Sequence, residues 1–165
     1  MVSVMAPGET VGQMSWLTAQ LRYLGFAAAA NLAWEIAHLP LYAIWTTDDP
    51  GEIAFAVIHC TGGDVLIAGI TLWAALLLLG RPNWPSERFW AVAGLAIALG
   101  VAYTMFSEWL NTEICHSWTY SALMPILPWT STGLSPLAQW FIIPLAAFFW
   151  LRWMLRGRYA LGGQR

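Results

Sequence analysis

Four long apolar runs, separated by short polar segments, organise the chain at residues 24–45, 53–79, 89–110 and 134–151. At about 1.5 Å per helical residue the first three span roughly 30 Å of hydrocarbon, and the fourth does so when it starts at Leu134. Runs of this length predict an all-α protein, an integral membrane four-helix bundle forming one domain over residues 1–165. The connections at 46–52 (TTDDPGE) and 80–88 (GRPNWPSER) contain Pro50, Pro82 and Pro85, which punctuate helices. The third connection, 111–133, is longer and holds Pro125 and Pro128. Its Trp, Tyr and Met content suits a segment that lies back into the membrane interface.

Polar positions interrupt the runs with a helical period. Asn31, Glu35, His38 and Tyr42 follow at intervals of four, three and four, which places them on one face of helix 1. Thr104, Glu108 and Asn111 recur similarly on helix 3. Cys60, Asp64 and Thr71 share a face of helix 2 with His59 beside them, and Gln139 opens helix 4. Counted from the helix ends nearest the first and third connections, Glu35 and Asp64 are expected about 15 Å deep, His38 and His59 about 10 Å and Glu108 about 5 Å. All five ionisable groups thus fall in one half of the bundle. Gly62 and Gly63 are expected to let another helix approach beside Asp64.

Composition strengthens the membrane reading, since 59% of the residues are hydrophobic and 10% charged, against about 25% charged in a soluble domain. The net charge of -2 combines nine acids with seven arginines and no lysine, leaving no basic stripe for nucleic acid. Cys60 and Cys115 form no CxxC pattern, and their spacing leaves open whether they pair. Residues 1–15 lack the basic start and short apolar core of a signal peptide, so the chain is expected to be uncleaved.

The arginines set an orientation. Arg22 precedes the first run, Arg81 and Arg88 lie between the second and third, and Arg152, Arg156, Arg158 and Arg165 follow the fourth. The opposite loops hold Asp48, Asp49, Glu52 and Glu113. The positive-inside rule therefore predicts a multi-pass protein of the bacterial cytoplasmic membrane with both termini in the cytoplasm. Trp45, Trp109, Trp118, Trp129 and Trp140 would form an outer aromatic belt and Trp16, Trp84, Trp90, Trp150 and Trp153 an inner one, structural in role.

An ionisable side chain at the bilayer centre costs about 2.5–3.5 kcal/mol on insertion scales, so each one kept there needs a reason. Single members such as Asn111 and Gln139 are explained by hydrogen bonding between helices. Three acids and two imidazoles exceed what packing requires. They predict an outward-facing pocket in which Glu35, His38, Asp64 and Glu108 do acid/base chemistry on an isoprenoid or other apolar lipid. Asn31, Tyr42, His59, Asn111 and Gln139 would bind that substrate, aromatic rings could steady a developing cation, and no metal or cofactor is expected. Three other readings remain open. His38 and His59 could ligate a b-type haem, and Glu35-x-x-His38 has the spacing of one carboxylate–histidine pair of a di-iron bundle, which needs two. A proton-coupled carrier would be a homo-oligomer, a dimer, with Glu35 at its centre, but charges along a full path are missing. A scaffold or assembly subunit needs none of these groups.

Asn31-Leu32-Ala33-Trp34-Glu35 resembles the Asn-x-x-Trp-Glu segment of the integral-membrane terpene cyclases. The resemblance implies that Glu35 is a proton donor, with Asp64 or Glu108 as candidates for the second acid. It covers about a dozen of 165 residues, and those cyclases have more helices. The longer pattern NLAWEIAHLPLY, HCTGGDVLIAG and FSEWLNTE is similar to a group of bacterial four-helix membrane proteins, a resemblance that implies the fold and no activity.

Overall fold

Capping and proline chemistry fix where the helices begin and end. The computed structural model describes residues 14–47 and 49–162, with side chains as far as Arg156. Asp48, Arg165 and the side chain of Arg158, used in the charge count, lie outside the described residues. Helix α1 (Trp16–His38) starts where the Ser15 hydroxyl accepts from the Thr18 N–H at 3.1 Å. It ends before Pro40, which has no N–H to continue the ladder. Two short 3-10 turns follow, Leu39–Leu41 and Ala43–Thr46. Helix α2 (Pro50–Leu79) opens with Pro50 in its first turn and the Asp49 carboxylate accepting from the N–H groups of Gly51 and Glu52 at 2.8 and 3.3 Å. Helix α3 (Phe89–Trp109) runs into a π-helical turn, Leu110–Ile114, and α4 covers Leu134–Gly162 with Pro144 inside it.

The expected four-helix architecture is present, with one register corrected. Helix 1 was placed at 24–45 and lies eight residues earlier at its start and seven at its end. The apolar run continues through Leu39, Leu41, Ala43, Ile44 and Trp45 although Pro40 has already broken the helix. Hydropathy locates apolar chain; it does not locate the hydrogen-bond break. The same distinction explains why α4 continues to Gly162 instead of stopping at 151, since arginines end an apolar run without ending a helix.

Cross-helix contacts run in opposite senses. Arg22 reaches Met154 while Trp34 reaches Ser135, so α1 and α4 are antiparallel. Trp16 packs on Trp73 at 5.7 Å between ring centres, and Trp90 on Phe149 at 5.1 Å, giving the same relation for α1 with α2 and α3 with α4. Each helix packs against its chain neighbours and α4 closes the ring on α1. The half that holds the α2–α3 connection is a close-packed apolar core, in which Tyr23, Leu72, Val92, Phe148 and Leu151 are fully buried. Buried alanines such as Ala27, Ala68, Ala93 and Ala147 bring the backbones near one another.

Helices α2, α3 with its π turn, and α4 as far as Arg156 are long and apolar enough to cross a membrane. Helix α1 has 23 residues, but Gln20, Arg22, Asn31, Glu35 and His38 make it less apolar. Outward-facing Leu77 is 82% exposed and Ile58 70% exposed. An exterior of this kind, with polar side chains turned inward, is built for lipid contact.

Candidate functional site

The other half of the bundle is polar and hollow. Where Pro40 breaks α1, the freed backbone groups bond to the α3–α4 connection. The Ala43 N–H donates to the Thr119 carbonyl at 3.0 Å, the Ser121 N–H to Leu41 at 2.9 Å and the Ser121 hydroxyl to the Pro40 carbonyl at 2.9 Å. Tyr42 and Tyr120 pair there in an isolated antiparallel bridge. The third connection therefore folds as a strap across this end, its own turn closed by Leu127 N–H to Thr132 at 2.9 Å and Leu134 N–H to Pro125 at 2.8 Å. Under the strap, among all four helices, lies a cavity of about 820 Å³, within the size range of small-molecule sites.

One amide gathers three of the polar side chains expected to meet. The Gln139 side-chain NH2 lies 2.9 Å from the Asn31 amide oxygen, 3.0 Å from Glu35 Oε1 and 2.9 Å from Asp64 Oδ2. Asn31, Glu35 and Gln139 are more than nine-tenths buried. An NH2 group has two hydrogens and meets three acceptors here, so the cluster is one proton short. Glu35 and Asp64 thus share one donor amide at the cavity wall.

A second chain of contacts leads away from Glu35. His38 Nε2 is 3.1 Å from Glu35 Oε2, and its Nδ1 is 3.0 Å from the Ser135 hydroxyl, which also accepts from the Trp34 indole N–H at 3.2 Å. With the imidazole neutral, the arrangement that uses the serine proton runs from Trp34 to Ser135, from Ser135 to Nδ1, and from Nε2–H to Glu35. Both imidazole nitrogens are thus occupied. The edge of the His38 ring also meets Tyr42 at 5.1 Å between centres.

Glu108 forms a separate station on the cavity wall, accepting from the Tyr120 hydroxyl, whose oxygen in turn accepts from the Gly133 N–H at 3.0 Å. Burial, reinforced by Glu108, pushes the phenols of Tyr42 and Tyr120 far above the ordinary tyrosine range. Both therefore stay neutral well above neutral pH, and Tyr120 uses its proton as the donor to Glu108. Asn111 lines the cavity but spends its amide on its own helix, donating to the Ser107 carbonyl at 2.8 Å and the Ser107 hydroxyl at 3.3 Å.

Several expectations need correction. His59 was counted among the buried groups, yet it is exposed on α2 and stacks on Phe55 at the cavity rim, 5.4 Å between ring centres. Gly62 and Gly63 do not admit a helix; a Cβ on either would meet nothing within 4 Å, and Gly63 borders the cavity. Glu35 is not deep by helix count, standing three residues from the end of α1, about 5 Å along the axis. Its burial comes with its contacts to His38 of α1 and Gln139 of α4. Trp118 and Trp140, assigned to the belt, are cavity walls, and the Trp140 ring crosses closely over Gly100 of α3.

Sequence reading missed Ser135, Tyr120 and Glu52. Tyr120 sits outside the apolar runs and Ser135 is the second residue of the fourth, and in both places a lone hydroxyl carries no periodic signal; Glu52 reads as a loop charge although it borders the cavity. Cys60 and Cys115 are both free thiols. Among the described residues, no group of three His, Cys, Asp or Glu side chains is placed to hold a metal ion. Compared with family models, with curated proteins and with solved structures, the chain matches none.

Proposed function

We propose that the protein is a membrane-embedded acid/base enzyme that moves a proton on an isoprenoid or other apolar lipid. The observation that carries this reading is the convergence of Glu35 and Asp64 on one Gln139 amide at the wall of a substrate-sized cavity, with His38 and Ser135 behind Glu35. The Glu35 carboxyl donates its proton to one carbon of a substrate double bond. The His38 N–H then steadies the carboxylate that forms, and Asp64 takes a proton from a second carbon as the double bond closes in a new position. Charge and proton count balance, because Asp64 ends with the proton that Glu35 began with. Direct return of that proton from the Asp64 carboxyl to Glu35, the two being held around the same amide, resets the pair. The Asn-x-x-Trp-Glu resemblance assigns the same donor role to Glu35.

The test is deuterium uptake. Membranes of a bacterial host making the protein, held in heavy water, should accumulate a deuterated apolar lipid by mass spectrometry that the Glu35→Gln host lacks. Glu35→Gln keeps the side-chain volume and one of the two acceptor contacts and removes the transferable proton, so loss of label in a normally inserted variant supports the assignment. Undiminished label would move the donor role to another acid.

We further propose that the chain lies in the cytoplasmic membrane with the packed half inward and the cavity toward the outer face, as the arginines predict. Reporter fusions after Arg156 and within residues 80–88 should read as cytoplasmic, and a fusion within residues 46–52 as external. An external C-terminus would reverse the side from which the cavity is reached.

A further inference from the structure

The cavity is one-sided in charge. Glu35, Asp64, Glu108 and Glu52 border it, while the described arginines belong to the other half. There Arg22 lies 3.6 Å from Met154, and Arg152 stands 5.4 Å above the Phe89 ring. Arg81 and Arg88 flank the α2–α3 connection and Arg156 closes the apolar part of α4, and the chain has no lysine. Among the described residues, the cations bordering the cavity could come only from His38, committed to Glu35, and from His59 at the rim. A phosphate or carboxylate head would therefore enter a field of like charge with no guanidinium or ammonium to receive it.

Part of the remaining wall is aromatic. Tyr42, Tyr103, Trp118 and Trp140 border the same space, with Phe55 at its edge. Electron-rich ring faces beside carboxylates attract a cation twice over, through the ring quadrupole and through Coulomb attraction, and this pairing recurs where quaternary ammonium groups are recognised. The way in also suits a lipid. Phe55 is 68% exposed and Tyr103 45% exposed on the bundle surface while both border the cavity. No atom fills the space beside Gly62 and Gly63 on the same stretch of α2. The strap covers the end of the bundle, so this exposed edge, with Phe55 on α2 and Tyr103 on α3, is the side from which an apolar tail would enter.

We infer that the cavity selects a lipophilic cation, an ammonium head on an apolar tail, over neutral and anionic amphiphiles. The inference rests on the acid/base reading, because protonating an apolar lipid creates cationic character on the substrate. A wall that holds a stable ammonium is the wall that would hold that transient charge.

The experiment uses the full chain in phosphatidylcholine nanodiscs titrated with decyltrimethylammonium, decanol and decyl phosphate, with empty discs subtracted. Decyltrimethylammonium should saturate, decanol should bind about tenfold more weakly, and decyl phosphate should give no saturable signal. Glu108→Gln and Tyr103→Leu should each weaken the ammonium several-fold and leave decanol unchanged. Tyr103 lies at an exposed rim, so that variant carries the test if Glu108→Gln disturbs folding. Decanol binding as tightly as the ammonium, or saturable decyl phosphate, would overturn the charge preference while leaving a lipid-binding acid/base site intact. If none of the three saturates above empty discs, the inference falls, while the acid/base reading still stands or falls on deuterium uptake.

Discussion

In the half of the bundle that holds the α2–α3 connection, Tyr23, Leu72, Val92, Phe148 and Leu151 fill the centre, and Tyr23 lies 4.7 Å from Phe148 between ring centres. In the other half the same four helices diverge around a space of about 820 Å³ walled by carboxyl, imidazole, amide and aromatic groups. The difference is not one of exposure, since Glu35, His38 and Glu108 are each 8% exposed or less. It lies in what replaces packing. The first half is held by dispersion and apolar contact, which tolerate no vacancy. The second half is held by hydrogen bonds from Gln139, Ser135 and Tyr120 and by the strap, leaving an interior that a ligand can occupy. One end thus supplies stability and the other can be given over to chemistry, a division common where function requires polar groups in an apolar setting.

The most direct way to break this comparison is to hollow the packed half. Phe148→Ala removes a fully buried ring in contact with Tyr23 and Phe89, and should destabilise the bundle by about 3–5 kcal/mol, read from unfolding in mixed micelles. A loss below about 1 kcal/mol would mean that this half is no better packed than the cavity half.

The border between the halves can be sharpened at Gly100. A Cβ there would stand 2.5 Å from the Trp140 ring, which walls the cavity. Gly100→Ala must therefore push Trp140 into the cavity or separate α3 from α4, costing about 1–3 kcal/mol. The stability loss should come with reduced deuterium uptake. Full activity in a destabilised variant would place Trp140 in the packed half functionally as well as geometrically.

How much of this was legible in the sequence differs between the two halves. The packed half follows from long apolar runs, so its four helices could be read directly, and the stripe Asn31, Glu35, His38 was legible because helical periodicity survives in any bundle. Gln139 could be placed at the same level as Glu35 but not identified as the donor that joins Glu35 to Asp64, since that depends on the rotation of α4 against α1 and α2. The strap was the least legible part. Pro40 marks the break in α1, yet the partners of the freed backbone, Thr119 and Ser121, lie about eighty residues away in a segment without periodicity. The Trp belt misled because Trp118 and Trp140 have the interfacial position expected of anchors and still turn their rings inward.

The smallest expected effect concerns the strap itself. The Tyr120 hydroxyl joins three elements, donating to Glu108 of α3 and accepting from Gly133 N–H at the start of α4, while its ring meets Tyr42 after α1, 5.5 Å between centres. Tyr120→Phe keeps the ring and removes both hydrogen bonds, one of them to a carboxyl group, for an expected loss of about 1–2 kcal/mol. The wild type should also show a pH signature. Its phenol is held protonated by burial and by Glu108 beyond the ordinary range, so the folded form keeps a proton that the unfolded chain releases near pH 10. The stabilisation is therefore complete below about pH 10 and declines as pH rises above it. Melting temperatures between pH 7 and 11 should fall more steeply at the alkaline end for the wild type than for Tyr120→Phe, with the other buried titratable groups contributing the same remainder in both. Parallel curves would show that Tyr120 is not the latch between the strap and the acid-lined half, and that the backbone bridge to Leu41 and Ala43 holds the strap alone.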